Sequence, residues 1–194
     1  MTPNRIMRAA AVRRAVLLAV VIATTAMVLA ACGGGGGDTP TSVTDKEADA
    51  VVLNEILARQ SAAVIAYDHS LRGLGGRSLA TARLFRVQEQ EHVDAILKSL
   101  RSLGAAAEPP EETIEADGLK SESEYLNFLY ELESATIESE LSAINKLTSP
   151  AVRSMLATTV ANQAQHLVLL RRELGAKWQE TVPAPFESGA TPAP

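Results

Sequence analysis

The sequence predicts an all-α protein: a four-helix bundle made of two antiparallel hairpins joined by one long crossover. Three observations carry that expectation. Aromatic residues make up only 4% of the 194 residues while Ala, Leu, Glu and Gln are abundant, a composition that favours helix over a β-sandwich. Apolar residues recur at helical spacing in separate runs, opened or closed by capping and glycine signals. The connections between the runs are short, then long, then short. With 46% hydrophobic and 21% charged residues, the chain suffices for one domain with a real core and is short for two.

Thr44-x-x-Glu47 reads as a capping box, and Leu53, Ile56, Leu57, Val64, Tyr67 and Leu71 then keep helical spacing up to Gly73 and the Gly75-Gly76 pair. The first helix is expected over about 45–72. Leu79, Ala82, Phe85, Ile96, Leu100 and Leu103 form the second run, which Gly104 stops. Ser121-x-x-Glu124 is another capping box, followed by Leu126, Leu129, Ile137, Ile144 and Leu147 on the third helix. Ser149-Pro150 pairs an N-cap with proline at the first helical position, and Val152, Leu156, Thr159, Leu170 and Leu174 lead to Gly175. Short links make each pair an antiparallel hairpin. The stretch 104–120, with Pro109-Pro110, spans at roughly 3.3 Å per residue the roughly 40 Å length of such a helix. A crossover of that length separates ferritin-like bundles from simple up-down ones.

Residues 1–31 hold Arg5, Arg8, Arg13 and Arg14, no acid, and an apolar run from Ala15 to Leu29, as expected of an export signal. The run ends in Leu29-Ala30-Ala31-Cys32, which resembles a bacterial lipobox. That resemblance implies removal of residues 1–31 and lipidation of Cys32, the chain's single cysteine. Residues 32–43, with five consecutive glycines, read as a flexible tether, 44–175 as the bundle, and 176–194 as a Pro-rich disordered tail. The expected location is therefore a lipid anchor in the cell envelope, at the outer membrane or cell surface. With residues 1–31 set aside, 14 basic residues face 23 acidic ones, and a balance of −9 excludes nucleic acid as a partner.

Each apolar stripe is interrupted by polar residues in its own register. Gln60 lies between Leu57 and Val64; Glu89 and His92 lie between Phe85 and Ile96. Glu133 lies between Leu129 and Ile137, and Gln163 and His166 between Thr159 and Leu170. All six should face the bundle interior, and i,i+3 spacing sets a carboxylate and an imidazole side by side on one helix face. Here the chain resembles the ferritin-like, di-iron carboxylate superfamily, over residues 44–175. Its members carry Glu, Glu-x-x-His, Glu and Glu-x-x-His on successive helices. The resemblance implies metal ligands at Glu89, His92, Glu133 and His166, with an aromatic, Tyr67, near the site. It departs at Gln60 and Gln163, where the family has Glu.

Two divalent ions would bring four positive charges against two carboxylates, an imbalance costing several kcal/mol in a low-dielectric core. One ion held by two Glu and two His is neutral, so a single Fe, Mn or Zn ion is expected, or none. Glu140 shares the inward stripe but stands roughly 10 Å along the axis from Glu133, too far for the same shell. A haem between His92 and His166 is disfavoured by the polar flanking layer and the missing attachment motif. His69 should point to solvent. No catalytic residue is predicted, and a weak oxidoreductase or ferroxidase-type activity has no further motif behind it. Two readings stand open: an envelope-tethered metal-binding domain, or a metal-free bundle whose polar layer is a hydrogen-bonded network and which serves as a structural or protein-interaction module.

Overall fold

The computed structural model describes residues 42–108 and 118–182. The expected signal peptide, Cys32 and the tether up to residue 41 lie outside them, as do residues 109–117 of the crossover and 183–194 of the tail. Four long helices form the domain: α1 (Val43–Ser70), α2 (Gly76–Leu103), α3 (Glu122–Ile144) and α4 (Pro150–Glu173). Among the described residues no helix is long and apolar enough to cross a membrane.

Helix α1 starts earlier than expected. Its cap is Ser42, whose hydroxyl accepts from the Asp45 amide while the Asp45 carboxylate accepts from the Ser42 amide, both at 3.1 Å. Thr44 and Glu47 fall inside the helix instead, because two overlapping capping patterns compete and the outer one starts the helix two residues earlier. The helix closes in a 3-10 turn, Leu71–Gly73. The other signals fall at the expected residues: Gly104 ends α2 in the left-handed region at φ 79°, Ser121 and Glu124 box the start of α3, and Ser149 caps α4 ahead of Pro150. Helix α3 ends at Ile144, short of Leu147, because Asp49 on α1 accepts hydrogen bonds from the amides of Thr148 and Ser149 and holds the turn open there. The packed chain also runs past the expected start of the tail at 176. Residues Trp178–Glu180 form a 3-10 turn, and the Arg171 guanidinium donates to the carbonyls of Glu180 and Val182.

Long-range side-chain bonds give the helix directions. Gln60 meets Glu140 and Tyr67 meets Glu133, so α1 and α3 are antiparallel; Gln88 meets His166 and Arg77 meets Glu173, so α2 and α4 are too. With α1–α2 and α3–α4 as hairpins, α2 and α3 must run the same way. The described ends of the crossover therefore lie at opposite ends of the bundle: the Glu108 amide donates to Asn54 of α1, and Leu119 accepts from the Tyr125 hydroxyl. Helix α1 packs on α2 and α3, and α4 on α3 and α2.

The core has two apolar clusters. Leu53, Ile56, Ile96, Leu100 and Leu156 anchor one; Tyr67, Phe85, Leu129, Tyr130 and Leu170 anchor the other. Each such side chain contributes about 1.5–3 kcal/mol by leaving water. Where the clusters meet the interior turns polar. Gln60, Glu89, Glu133, Glu140, Gln163 and His166 are all buried there, at 0–1% exposure.

Candidate metal centre

Four helices deliver the polar layer because each polar residue continues an inward apolar stripe. Glu89 comes from α2, Glu133 from α3, His166 from α4, and the Tyr67 hydroxyl reaches in from α1. His166 is the hub. Its Nδ1 lies 2.9 Å from Glu133 Oε1 and 3.2 Å from Glu89 Oε1, the former aligned as a hydrogen bond and the latter not. Its Nε2 faces Gln88 Oε1 at 2.8 Å, and the Phe85 ring stacks on the imidazole at 3.9 Å between centroids. The Tyr67 hydroxyl donates to Glu133 Oε1 at 2.5 Å, and its ring meets Phe85 edge-on.

One ligand atom each from Glu89, Glu133 and His166 lies within 4.8 Å of the other two. His92 stands at the rim: its Nδ1 is 3.4 Å from Glu89 Oε2, its ring centroid is 6.4 Å from that of His166, and its side chain keeps 12% of its surface exposed. Gln60 is drawn elsewhere. Its amide donates to Glu140 Oε1 at 2.6 Å, so it serves the neighbouring carboxyl and not the cluster. Gln163 is fully buried, and among the described residues neither of its amide atoms has a hydrogen-bond partner. His69 is partly exposed and contacts the Arg72 guanidinium.

Burial and mutual charge shape the titration of the layer. Burial alone would push the Glu89 carboxyl up, but the two imidazoles beside it outweigh that and hold it below its ordinary value. Glu133 is raised by burial and by the Glu89 charge. Burial would lower the His166 imidazole, yet hydrogen bonds and charge from Glu133 and Glu89 prevail and lift it to about 9. Burial pushes Glu140 up to about 8 and raises the Tyr67 phenol well above its ordinary range. At neutral pH the layer thus carries a protonated His166 between two carboxyls, with Glu140 in its neutral form.

The donor set fits a divalent cation. Glu89 Oε1 and Glu133 Oε2 are buried without a hydrogen-bond partner, and buried carboxylate oxygens left in that state cost free energy that a cation would recover. Gln88 holds one nitrogen of His166, leaving Nδ1 to face the carboxylates once its proton departs. Two residues and one pairing here escaped sequence reasoning. Gln88 lies off the inward stripe, Phe85 reads as ordinary core, and the Gln60–Glu140 pair joins residues 80 positions apart.

A bundle of two hairpins with a full-length crossover and a buried carboxylate–imidazole layer defines a ferritin-like protein. A family model described as Ferritin-like domain matches residues 46–176, and the chain belongs to that family. Among solved structures it is similar to a ferritin-like, diiron-carboxylate protein from Bacillus anthracis str. Ames, at 22% identity and a TM-score of 0.54 over 68% of this chain and 98% of that one. It is also similar to a conserved hypothetical protein from Mycobacterium tuberculosis, at 16% identity and a TM-score of 0.63 over 73% and 99% of the two chains. Among functionally curated proteins none matches.

Proposed function

We propose that this ferritin-like domain holds a single divalent transition-metal ion between Glu89, Glu133 and His166, with His92 completing the donor set from the rim. The observation that carries the reading is the convergence of those three residues, each at most 1% exposed, with one carboxylate oxygen of each Glu without a hydrogen bond. The solved relative described as a diiron-carboxylate protein supports a metal in this bundle. Charge argues for one ion and not two. Gln60 and Gln163 stand where that resemblance calls for Glu, and the other carboxyl nearby, Glu140, is neutral at pH 7 and bonded to Gln60. Two carboxylates balance one divalent ion. Iron, manganese and zinc all suit such a mixed O/N donor set. When bound, the metal would supply Lewis-acid or one-electron chemistry; the chain's own part is to orient Nδ1 through Gln88, with the Nδ1 proton released to solvent as the ion takes its place.

The test is elemental analysis of Fe, Mn, Zn and Cu per chain in the purified protein, as isolated and after anaerobic Fe(II) loading. About one ion per chain, lost in Glu133→Ala, supports the reading. About two ions overturns the charge argument, and none overturns the metal centre.

The same proposal places the domain on a lipid tether in the cell envelope, on the strength of the lipobox-like Leu29-Ala30-Ala31-Cys32 and the glycine run behind it. Labelled fatty acid should enter the protein and the protein should sediment with membranes. Both should be lost in Cys32→Ser.

A second reading is favoured by one observation: hydrogen bonds link Tyr67, Glu133, His166 and Gln88 into one chain of side chains. On that reading the bundle is a structural or protein-interaction module of the envelope. The metal analysis separates the two.

A further inference from the structure

Two open grooves run along the bundle, and they differ in what stands behind them. The larger, about 920 Å³, lies between α1 and α3 and carries balanced charges, Glu55 and Glu138 against Arg59 and Lys146. None of its lining residues is among the hydrogen-bond partners of Glu89, Glu133 and His166. Behind it the seam is bridged by the hydrogen bonds from Gln60 to Glu140 and from Tyr67 to Glu133, all four side chains buried.

The smaller groove, about 490 Å³, lies between α2 and α4. Two of its lining residues, Gln88 and His92, are themselves partners of the cluster: Gln88 holds His166 Nε2 and His92 touches Glu89. His92 is half of the boundary between groove and centre. Its side chain is 12% exposed where those of Glu89 and His166 are at 0% and 1%, so of these three it is the one that water reaches. Glu91, exposed at the mouth, is the sole carboxylate lining the groove, and the remaining polar donors are neutral oxygens of Gln88, Thr158, Thr159 and Asn162. Asn162 adds a buried Oδ1 with no hydrogen-bond partner.

Resting on the metal reading above, we propose that a divalent cation reaches the centre through the α2–α4 groove, with Glu91 and His92 as its first ligands. The volume suffices for a hydrated ion: six waters at about 30 Å³ each take roughly 180 Å³. A lone carboxylate at the mouth of a groove of otherwise uncharged oxygen donors concentrates cations there without an opposing positive charge. His92, with Nδ1 3.4 Å from Glu89 Oε2 and its side chain in the groove wall, would pass the ion from the groove to Glu89. Gln88 stays on His166 throughout and keeps Nδ1 directed at the cluster.

The probe is cobalt(II), followed by its visible absorption after rapid mixing with the purified protein. Thr158→Trp fills the groove from an exposed position that supplies no ligand to the centre, and should slow cobalt uptake at least about tenfold while the final ratio per chain stays the same. Glu91→Gln should slow it several-fold at low ionic strength and hardly at all at high. Ser139→Trp, which fills the α1–α3 groove, should load like the wild type. Wild-type rates in Thr158→Trp, a lowered final ratio there, or slowing by Ser139→Trp would each overturn the route. If Thr158→Trp loses its helical spectrum, the Glu91→Gln rate decides alone: no change in it overturns the proposal. A wild-type protein that takes up no cobalt at equilibrium rejects the metal centre itself, a result distinct from altered rates.

Discussion

The imidazole of His166 is asked to do two jobs, and its neighbours divide them. Gln88 takes one nitrogen and the carboxylates take the other, so substitutions at the neighbours should separate orientation from charge. Gln88→Ala leaves all donor atoms in place but frees the ring. It should weaken metal binding by about 10–100-fold in competition with a chelator, with little loss of melting temperature. Tyr67→Phe removes the hydroxyl that donates to Glu133 at 2.5 Å. It should cost the metal-free domain about 2 kcal/mol in urea unfolding, since a buried hydrogen bond to a carboxylate exceeds a neutral one. Both residues sit one shell behind the ligands. No more effect from Gln88→Ala than from a surface substitution would show that Phe85 stacking and the carboxylates hold His166 without Gln88.

Between elements, the helix ends are held by side chains from distant parts of the chain. Asp49, fully buried on α1, accepts from the Thr148 amide at 2.7 Å, the Ser149 amide at 2.8 Å and the Thr148 hydroxyl at 3.2 Å. It fastens the α3–α4 turn to α1 and satisfies backbone donors ahead of the Ser149 cap. Asp49→Ala should destabilise the domain by about 3 kcal/mol, read by denaturant unfolding, with metal stoichiometry unchanged once folded. At the other end Gly73 lets the α1–α2 turn lie against the Tyr125 ring, where any added Cβ would collide with the ring. Gly73→Ala should cost about 2 kcal/mol through overpacking, and the double variant with Tyr125→Leu should recover part of it.

For the whole domain, the polar layer sets how stability depends on pH when no metal is bound. Glu140 is raised from 4.5 to about 8, so its contribution is complete below its unfolded value and is lost as pH climbs through 8. His166 is raised from 6.5 to about 9, and its contribution is likewise present below 6.5 and lost on the way to 9. Glu133 acts in the same direction, while Glu89, held low, acts oppositely and only in acid. The metal-free domain should therefore be most stable near pH 4.5, and its melting temperature should fall from there towards pH 9. Glu140→Gln should flatten that fall, because an amide there has no proton to lose. A melting profile flat from pH 6 to 9 would contradict the burial of these groups.

Helix number, helix order, two of the three N-terminal signals and the length of the crossover were legible in the chain, since each rests on residues a few positions apart. The inward register of Gln60, Glu89, Glu133, Gln163 and His166 was legible too, because each continues an apolar stripe that only a core can use. Where α1 starts was not: Ser42-x-x-Asp45 and Thr44-x-x-Glu47 overlap, and local chemistry is equal for both. Tertiary structure alone decided which polar atoms meet. Gln88 reaches His166 across 78 positions, Gln60 turns to Glu140 across 80, and Asp49 clasps a turn about 100 residues away. Periodicity says which face a side chain lies on, whereas rotamer and neighbouring helix choose its partner. That choice separates three converging donors from the Gln60 beside them, and it is made by packing between helices.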